Sequence, residues 1–504
     1  MDTNTDATAR PAPAELPGLL TAGWFSALFF GLPLVLHDGY FDITEAKYLF
    51  FAALTGVYLI AQAGVWLYGR RRPAKDGLER LPAPARLTAA EGLLAACALL
   101  SLLSAGLNGR LPAAWLGAYD RYQGVATAVL YAAAFAAAAR TFRWTRLNDA
   151  ALTAGCALTC LVAVLQACGV DPLSLYRGVA PGDRLRYIGC VGNIDFFGAY
   201  LALIFPFLLV RFLRAESGPG GALFAGGLAF CGGGMVTAGS ESMFLGFMAT
   251  LLLSPLLCRT RRERKRLLLA VGALLTGMCL LLRCLPRGGF AVSYFLGALL
   301  RPYLALPLCA TLLAMGLLAK ADGAPIPRFR RGYAAMLLAL ALLAIAALVL
   351  LNTAFTSVPL GSAARFLRLN ASWGTDRGRI YARCLAWFSR YPALQTLFGG
   401  GVGAVYALDA PAPLFSDAVL DSAHSEYLHR LLTNGVLGLS CYLGFLGCAL
   451  HRIRRRAAAS PLAAACLLSC AVYALQAAVN IAQPFTTPLF FALLAAGMGE
   501  SLRP

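Results

Sequence analysis

Charge is what this sequence lacks most. Charged residues fill 13% of its 504 positions and hydrophobic ones 59%, whereas a soluble chain of this length needs about twice that charge density to clothe its surface. A soluble globular fold is excluded. The apolar runs also lack the period-two alternation of a membrane β-barrel, which leaves helices as the form that spans. The chain has 15 cysteines but no Cys-x-x-Cys pair, so neither a zinc ribbon nor a dithiol motif is present. Most of them, including Cys156, Cys160, Cys231, Cys466 and Cys470, lie inside apolar runs and read as small apolar side chains. No carboxylate cluster points to a metal, no cofactor is expected, and there is neither an internal repeat nor a low-complexity linker.

What is present is helix-length hydrocarbon. Apolar runs of about 16–22 residues recur between Leu19 and Gly497, the length that crosses a hydrocarbon layer about 30 Å thick. The predicted fold is an all-α polytopic membrane protein of about fourteen transmembrane helices. Three regions follow: 1–351 with about eleven spans, a large polar loop at 352–434, and 435–504 with about three. The first 16 residues carry no basic n-region, so the first span is expected to stay as an anchor.

Basic residues orient the bundle. Arg70, Arg71, Arg72, Lys75, Arg80 and Arg86 follow the second run; Arg140, Arg143 and Arg146 the fourth; Arg259, Arg261, Arg262, Arg264, Lys265 and Arg266 the eighth. Lys320, Arg328, Arg330 and Arg331 follow the tenth, and Arg452, Arg454, Arg455 and Arg456 the twelfth. All are even-numbered connections, which the positive-inside rule makes cytoplasmic. The net charge of +19 is thus a topology signal, and no nucleic-acid partner is expected. The large loop, and with it Cys190, Cys284 and Cys384, falls outside. The connection at 283–302 fits least well, because it puts Arg283, Arg287 and Arg301 outside without an acidic partner.

The large loop carries the groups able to do chemistry in water: Asp376-Arg377-Gly378-Arg379, a glycine run at Gly399–Gly403, and Ala423-His424-Ser425-Glu426-Tyr427-Leu428. At 100° per residue, positions 379–390 form an amphipathic helix with Arg379, Arg383 and Arg390 on one side. Ile380, Tyr381, Cys384, Trp387 and Phe388 lie opposite, so the helix is expected to rest its apolar face on the membrane. Tyr391-Pro392 ends it and the glycine run turns the chain. A second helix is expected to start with Asp421 or Ser422 as N-cap and to carry His424, Tyr427 and Leu428. The arginine row has a plainer use, binding anionic lipid headgroups, and His424 alone is an ordinary loop histidine.

The order of these motifs resembles the O-antigen ligase and polymerase family, polytopic glycosyltransferases that use polyprenyl-diphosphate-linked glycans. The resembling pattern is Asp-Arg-Gly-Arg, Trp387, Tyr-Pro, a glycine turn, then Ala-His-Ser-Glu-Tyr-Leu before Gly435-x-x-Gly438. Upstream, Arg186 to Leu201 resembles the family's stretch before a span, and Trp115–Gly124 an outer loop of its Gram-positive members.

The resemblance covers about residues 90–450 and implies a plasma-membrane enzyme with an extracytoplasmic site. The implied partners are an undecaprenyl-diphosphate-linked glycan donor, a glycan, lipid or protein acceptor, and membrane lipids. It implies His424 as the group that activates the acceptor hydroxyl. Arg379 first, then Arg377, with Arg383, Arg186 and Arg121, are implied diphosphate ligands, and Glu426 and Tyr427 join the substrate-binding set. Where many members carry a Ser-Arg pair at a short central turn, this chain has Ser240-Glu241-Ser242, so Arg186 or Arg121 takes over that arginine's part or the donor is held differently. Ligase and polymerase share these motifs. A protein-directed oligosaccharyltransferase of the same family and a lipid-linked glycan flippase are the alternatives; the flippase predicts charges buried within spans and internal repeats.

Overall fold

A computed structural model describes residues 15–71, 87–110, 114–117, 121–216, 218–286, 288–416 and 418–503. Arg72, Lys75, Arg80, Arg86, Arg287 and part of the Trp115–Gly124 stretch lie outside these residues. Apart from a two-residue antiparallel pairing, β1 (Tyr187–Ile188) with β2 (Gly192–Asn193), the described chain is helix and loop.

The first helices are α1 (Leu16–Leu34), α2 (Ile43–Arg71), α3 (Ala89–Leu107), α4 (Val125–Arg140), α5 (Arg146–Ala167), α6 (Ile194–Arg214), α7 (Pro219–Thr237), α8 (Glu241–Leu257) and α9 (Arg261–Cys284). A short α10 (Tyr294–Leu299) precedes α11 (Pro302–Leu318) and α12 (Pro327–Thr353). The polar segment folds into α13 (Ala364–Leu367), α14 (Trp373–Phe388), α15 (Ala393–Phe398) and α16 (Ala404–Asp409). Then come α17 (Glu426–Arg456), α18 (Pro461–Gln476) and α19 (Thr487–Leu502).

Among the described residues ten helices are long and apolar enough to cross a membrane, and four shorter apolar helices, α4, α8, α11 and α19, fall on the remaining apolar runs. An apolar run satisfies its backbone only by coiling on itself, so run length alone predicts each of these helices. α6 is the central one, packed against α7, α8 and α18 and buried over most of its length. α12 sits at the other extreme, with no buried residue.

Polar residues close the helix ends. Thr88 and Glu91 form a capping box on α3, and Glu91 also accepts from Arg140 at 2.7 and 3.1 Å. Arg211 pairs with Asp149 across α6 and α5. Arg214 donates to the carbonyls of Leu257 (3.0 Å) and Ala457 (2.8 Å), ending α8 and α17. These arginines gather at one end of the bundle, which we term the basic pole. Lys47, fully buried, donates to the carbonyls of Leu32 (2.9 Å), Pro33 (3.1 Å) and Val35 (3.0 Å) and so caps α1. All 15 cysteines are free thiols.

In the 283–302 connection the described residues 293–295 are anchored by Glu241. Glu241 accepts from Ser293 Oγ at 2.8 Å and from the N–H groups of Tyr294 (2.5 Å) and Phe295 (3.5 Å), so its carboxylate caps α10. Arg283 donates to the Leu300 carbonyl at 3.3 Å and Arg301 to the Tyr303 hydroxyl at 3.0 Å.

Candidate functional site

The polar segment has a small core of its own: Ile380, Cys384, Trp387, Val405, Leu420, Ala423 and Leu432. This corrects the amphipathic reading of 379–390. The apolar face is the predicted one, but it packs on α16, the 420–423 strand of loop and α17, not on lipid. The helix also begins earlier, after Gly374, Thr375 and Asp376, which hold φ of 59°, 58° and 66° in succession. That left-handed turn swings Arg377 inward, and regular helix starts there. Gly378 is required at the next step, because a Cβ there would stand 1.9 Å from the Asn370 carbonyl oxygen.

The second helix also differs from expectation. Its N-cap is Ser425, whose hydroxyl accepts from the Leu428 N–H, so Asp421 and Ser422 lie outside it. His424 precedes the cap, with φ of 52°, a conformation that costs a non-glycine residue about 1–3 kcal/mol. Within α17 the helix breaks at Gly435 (φ 69°, ψ −170°). There the carbonyls of Leu432 and Thr433 accept from the N–H groups of Gly400 (2.8 Å) and Gly401 (3.0 Å). A Cβ at Gly399 would meet the Thr433 carbonyl at 2.3 Å, so the glycine run is the clamp on this break.

Around His424 the groups come from segments far apart in sequence. Its Nδ1 lies 3.2 Å from the Ser422 carbonyl, which only accepts, so the proton is on Nδ1 and the free lone pair on Nε2. Its own carbonyl lies 3.1 Å from the Tyr381 hydroxyl, which also reaches the Ala478 carbonyl at 3.2 Å. Burial holds the Tyr381 phenol at about 12, well in its donor form. Burial, and then the cations of Arg377 and Arg121, push the His424 pKa below its ordinary 6.5, so the imidazole is neutral at pH 7.

Arg377 donates to the Gly374 carbonyl (2.7 Å) and Thr375 Oγ1 (3.0 Å) and faces Asp195 at 3.9 Å. Its buried Nε has no hydrogen-bond partner among the described residues. Asp195 in turn accepts from Ser240 Oγ at 2.6 Å, and Ser242 accepts from Gln476 at 3.0 Å. The Ser240-Glu241-Ser242 turn thus supports the carboxylate facing Arg377. Arg121 donates to Asp421 at 2.7 Å and lies over the Phe196 ring.

The other anticipated residues are placed differently. Arg379 pairs with Asp376 at 2.7 Å and lies over Phe415. Arg383 donates to the Ala412 carbonyl at 2.6 Å and lies over Trp387. Arg186 pairs with Asp183 of its own turn and is mostly exposed; no hydrogen bond or ion pair among the described residues ties it to His424. The Tyr427 hydroxyl is held by the Ala474 carbonyl. Glu426 is buried, accepting from Arg430 (3.0 Å) and the Tyr442 hydroxyl (2.7 Å).

Sequence reasoning gave no site role to Asp195, Tyr381, Asp421, His429 or Arg430; it placed Tyr381 on the apolar face of the helix and Asp421 as a candidate N-cap. Only the Glu426–Arg430 pair had a local signal, opposite charges four apart in an otherwise apolar helix. Among the described residues no group of three His, Cys, Asp or Glu side chains stands together that could hold a metal ion. Comparison of the chain with known protein families and with curated proteins finds no match.

Proposed function

We propose that this chain is a plasma-membrane glycosyltransferase of the O-antigen ligase and polymerase type, with about fourteen spans. It transfers or extends glycan units from an undecaprenyl-diphosphate-linked donor onto a glycan, lipid or protein acceptor. In this reading the basic pole is cytoplasmic by the positive-inside rule, and the polar segment faces out. The observation that carries the reading is geometric: the His424 carbonyl takes the Tyr381 hydroxyl at 3.1 Å, one turn along α14 from Arg377, whose buried Nε has no partner among the described residues.

The chemistry follows from those groups. His424 Nε2 takes the proton of an acceptor hydroxyl, whose oxygen forms the new bond to the anomeric carbon. The bond from that carbon to the diphosphate oxygen breaks, and its electron pair leaves with the lipid diphosphate. Arg377, with its unpartnered Nε, balances the charge that develops there, while Arg121 stays paired with Asp421. Arg379, engaged with Asp376, serves from further out.

The test is His424→Ala and Arg377→Ala in cells whose surface glycan depends on this chain, with membrane levels checked by immunoblot. The expected result is lipid-linked precursor accumulating while surface glycan disappears. Normal surface glycan in His424→Ala cells at matched protein levels would overturn the reading.

A further inference from the structure

Between α3, α4, α17 and α19 lies a cavity of about 90 Å³, lined by Arg121, Tyr131, Asp421, Glu426, His429 and Arg430, with Ser422 on its edge two residues before His424. Two of the lining residues each carry a buried polar atom, Glu426 Oε2 and His429 Nδ1, without a hydrogen-bond partner among the described residues. Leaving such atoms unmade costs about 1–3 kcal/mol each, so they point to something that binds there. A carboxylate oxygen only accepts, and so the ligand must bring an O–H or N–H.

Charge narrows the class. Arg121 is matched by Asp421 at 2.7 Å and Arg430 by Glu426 at 3.0 Å, which leaves the cavity wall without net charge when His429 is neutral. An anion finds no uncommitted cation here, in contrast to Arg377, whose carboxylate neighbour stands 3.9 Å off. Tyr131 and Phe491 also line the cavity, their rings stacked on each other at 4.4 Å, and give it an apolar side next to the polar groups. At roughly 10–15 Å³ per water-sized site, the volume takes several waters or a single sugar ring.

We propose that this cavity is a subsite for one neutral sugar ring of the glycan substrate, hydroxyls on Glu426 Oε2 and His429 Nδ1, separate from the diphosphate beside Arg377. The proposal rests on the glycosyltransferase reading and deepens it. The test uses the full chain in lipid nanodiscs. Saturation-transfer NMR with a mixture of methyl glycosides probes the subsite, and calorimetric titration with inorganic pyrophosphate probes the arginines.

Two variants are compared: Glu426→Gln, which alters the acceptor, and Ala98→Leu, which fills the cavity without touching a polar group. The expected result is transfer to at least one glycoside that falls about fivefold or more in both variants, with pyrophosphate affinity changed less than about twofold. Should Glu426→Gln fail to fold, Ala98→Leu alone decides. No glycoside transfer in the wild type, or transfer undiminished by Ala98→Leu, overturns the subsite. Loss of pyrophosphate binding in Ala98→Leu does so as well, because it makes the cavity an anion site. Glycoside binding with no pyrophosphate binding would instead spare the subsite and sink the diphosphate reading.

Discussion

Gly378→Ala is a one-carbon change with a calculable effect. The added Cβ would sit 1.9 Å from the Asn370 carbonyl oxygen, and real Cβ atoms essentially never come within 3.0 Å. The two backbones must therefore part by about 1.1 Å, an overpacking that costs about 1–3 kcal/mol. The same movement strains the bond from the Arg379 N–H to the Ala371 carbonyl, 2.9 Å in the native chain, worth about 0.5–1.5 kcal/mol. Arg377 is the adjacent residue, and a displacement of about 1 Å in a reacting array costs about 100-fold in rate.

We expect glycan assembly by Gly378→Ala to fall about 100-fold while the thermal midpoint drops by only about 1–4 °C for a chain of 504 residues. The midpoint is read with a thiol-reactive dye, for which the chain's free cysteines serve as probes. Gly447→Ala is the control, because nothing lies within 4 Å of its Cβ position. If the two variants match each other and the wild type in rate and midpoint, the close approach at Gly378 does not hold Arg377 and the reasoning fails.

Other consequences can be checked in the same preparations. Because His424 titrates below its ordinary value, activity should be full at pH 7 and fall only as pH drops through that lowered pKa. Arg377→Gln removes one cause, so the acid limb of a pH–rate profile should move to higher pH, against an unmoved limb if the two are uncoupled. Glu426→Ala leaves the half-buried Arg430 without its carboxylate and should destabilise by about 3 kcal/mol, the low end for breaking a buried pair. Adding Arg430→Met should recover part of that, as a double-mutant cycle of midpoints would report. Lys47→Met strips three carbonyls of their donor and should cost about 2–4 kcal/mol, seen as a lower midpoint and weaker membrane accumulation.

The helices were legible because an apolar run of membrane length has only one way to satisfy its backbone, so runs as different as the central α6 and the peripheral α12 could both be read. What those helices touch was not legible. Periodicity identified Ile380, Cys384 and Trp387 as one face, but Val405, Leu420 and Leu432, which cover it, come from segments that only folding brings near. The start of α17 was misjudged because Ser422 and Ser425 are chemically alike; what separates them is the left-handed turn at His424, which spacing does not encode. Among the arginines of the polar segment, the family resemblance favoured Arg379. The left-handed turn before the helix, itself set by packing on Asn370, is what gives Arg377 the inward position.

The interruption of α17 has a mechanical consequence. A continuous rod from the bilayer to the cap would carry every sway of its lipid-borne length straight into His424 and Glu426. The break at Gly435, with the Leu432 and Thr433 carbonyls held by hydrogen bonds from the Gly400 and Gly401 N–H groups, uncouples the direction of the short piece from that of the long one.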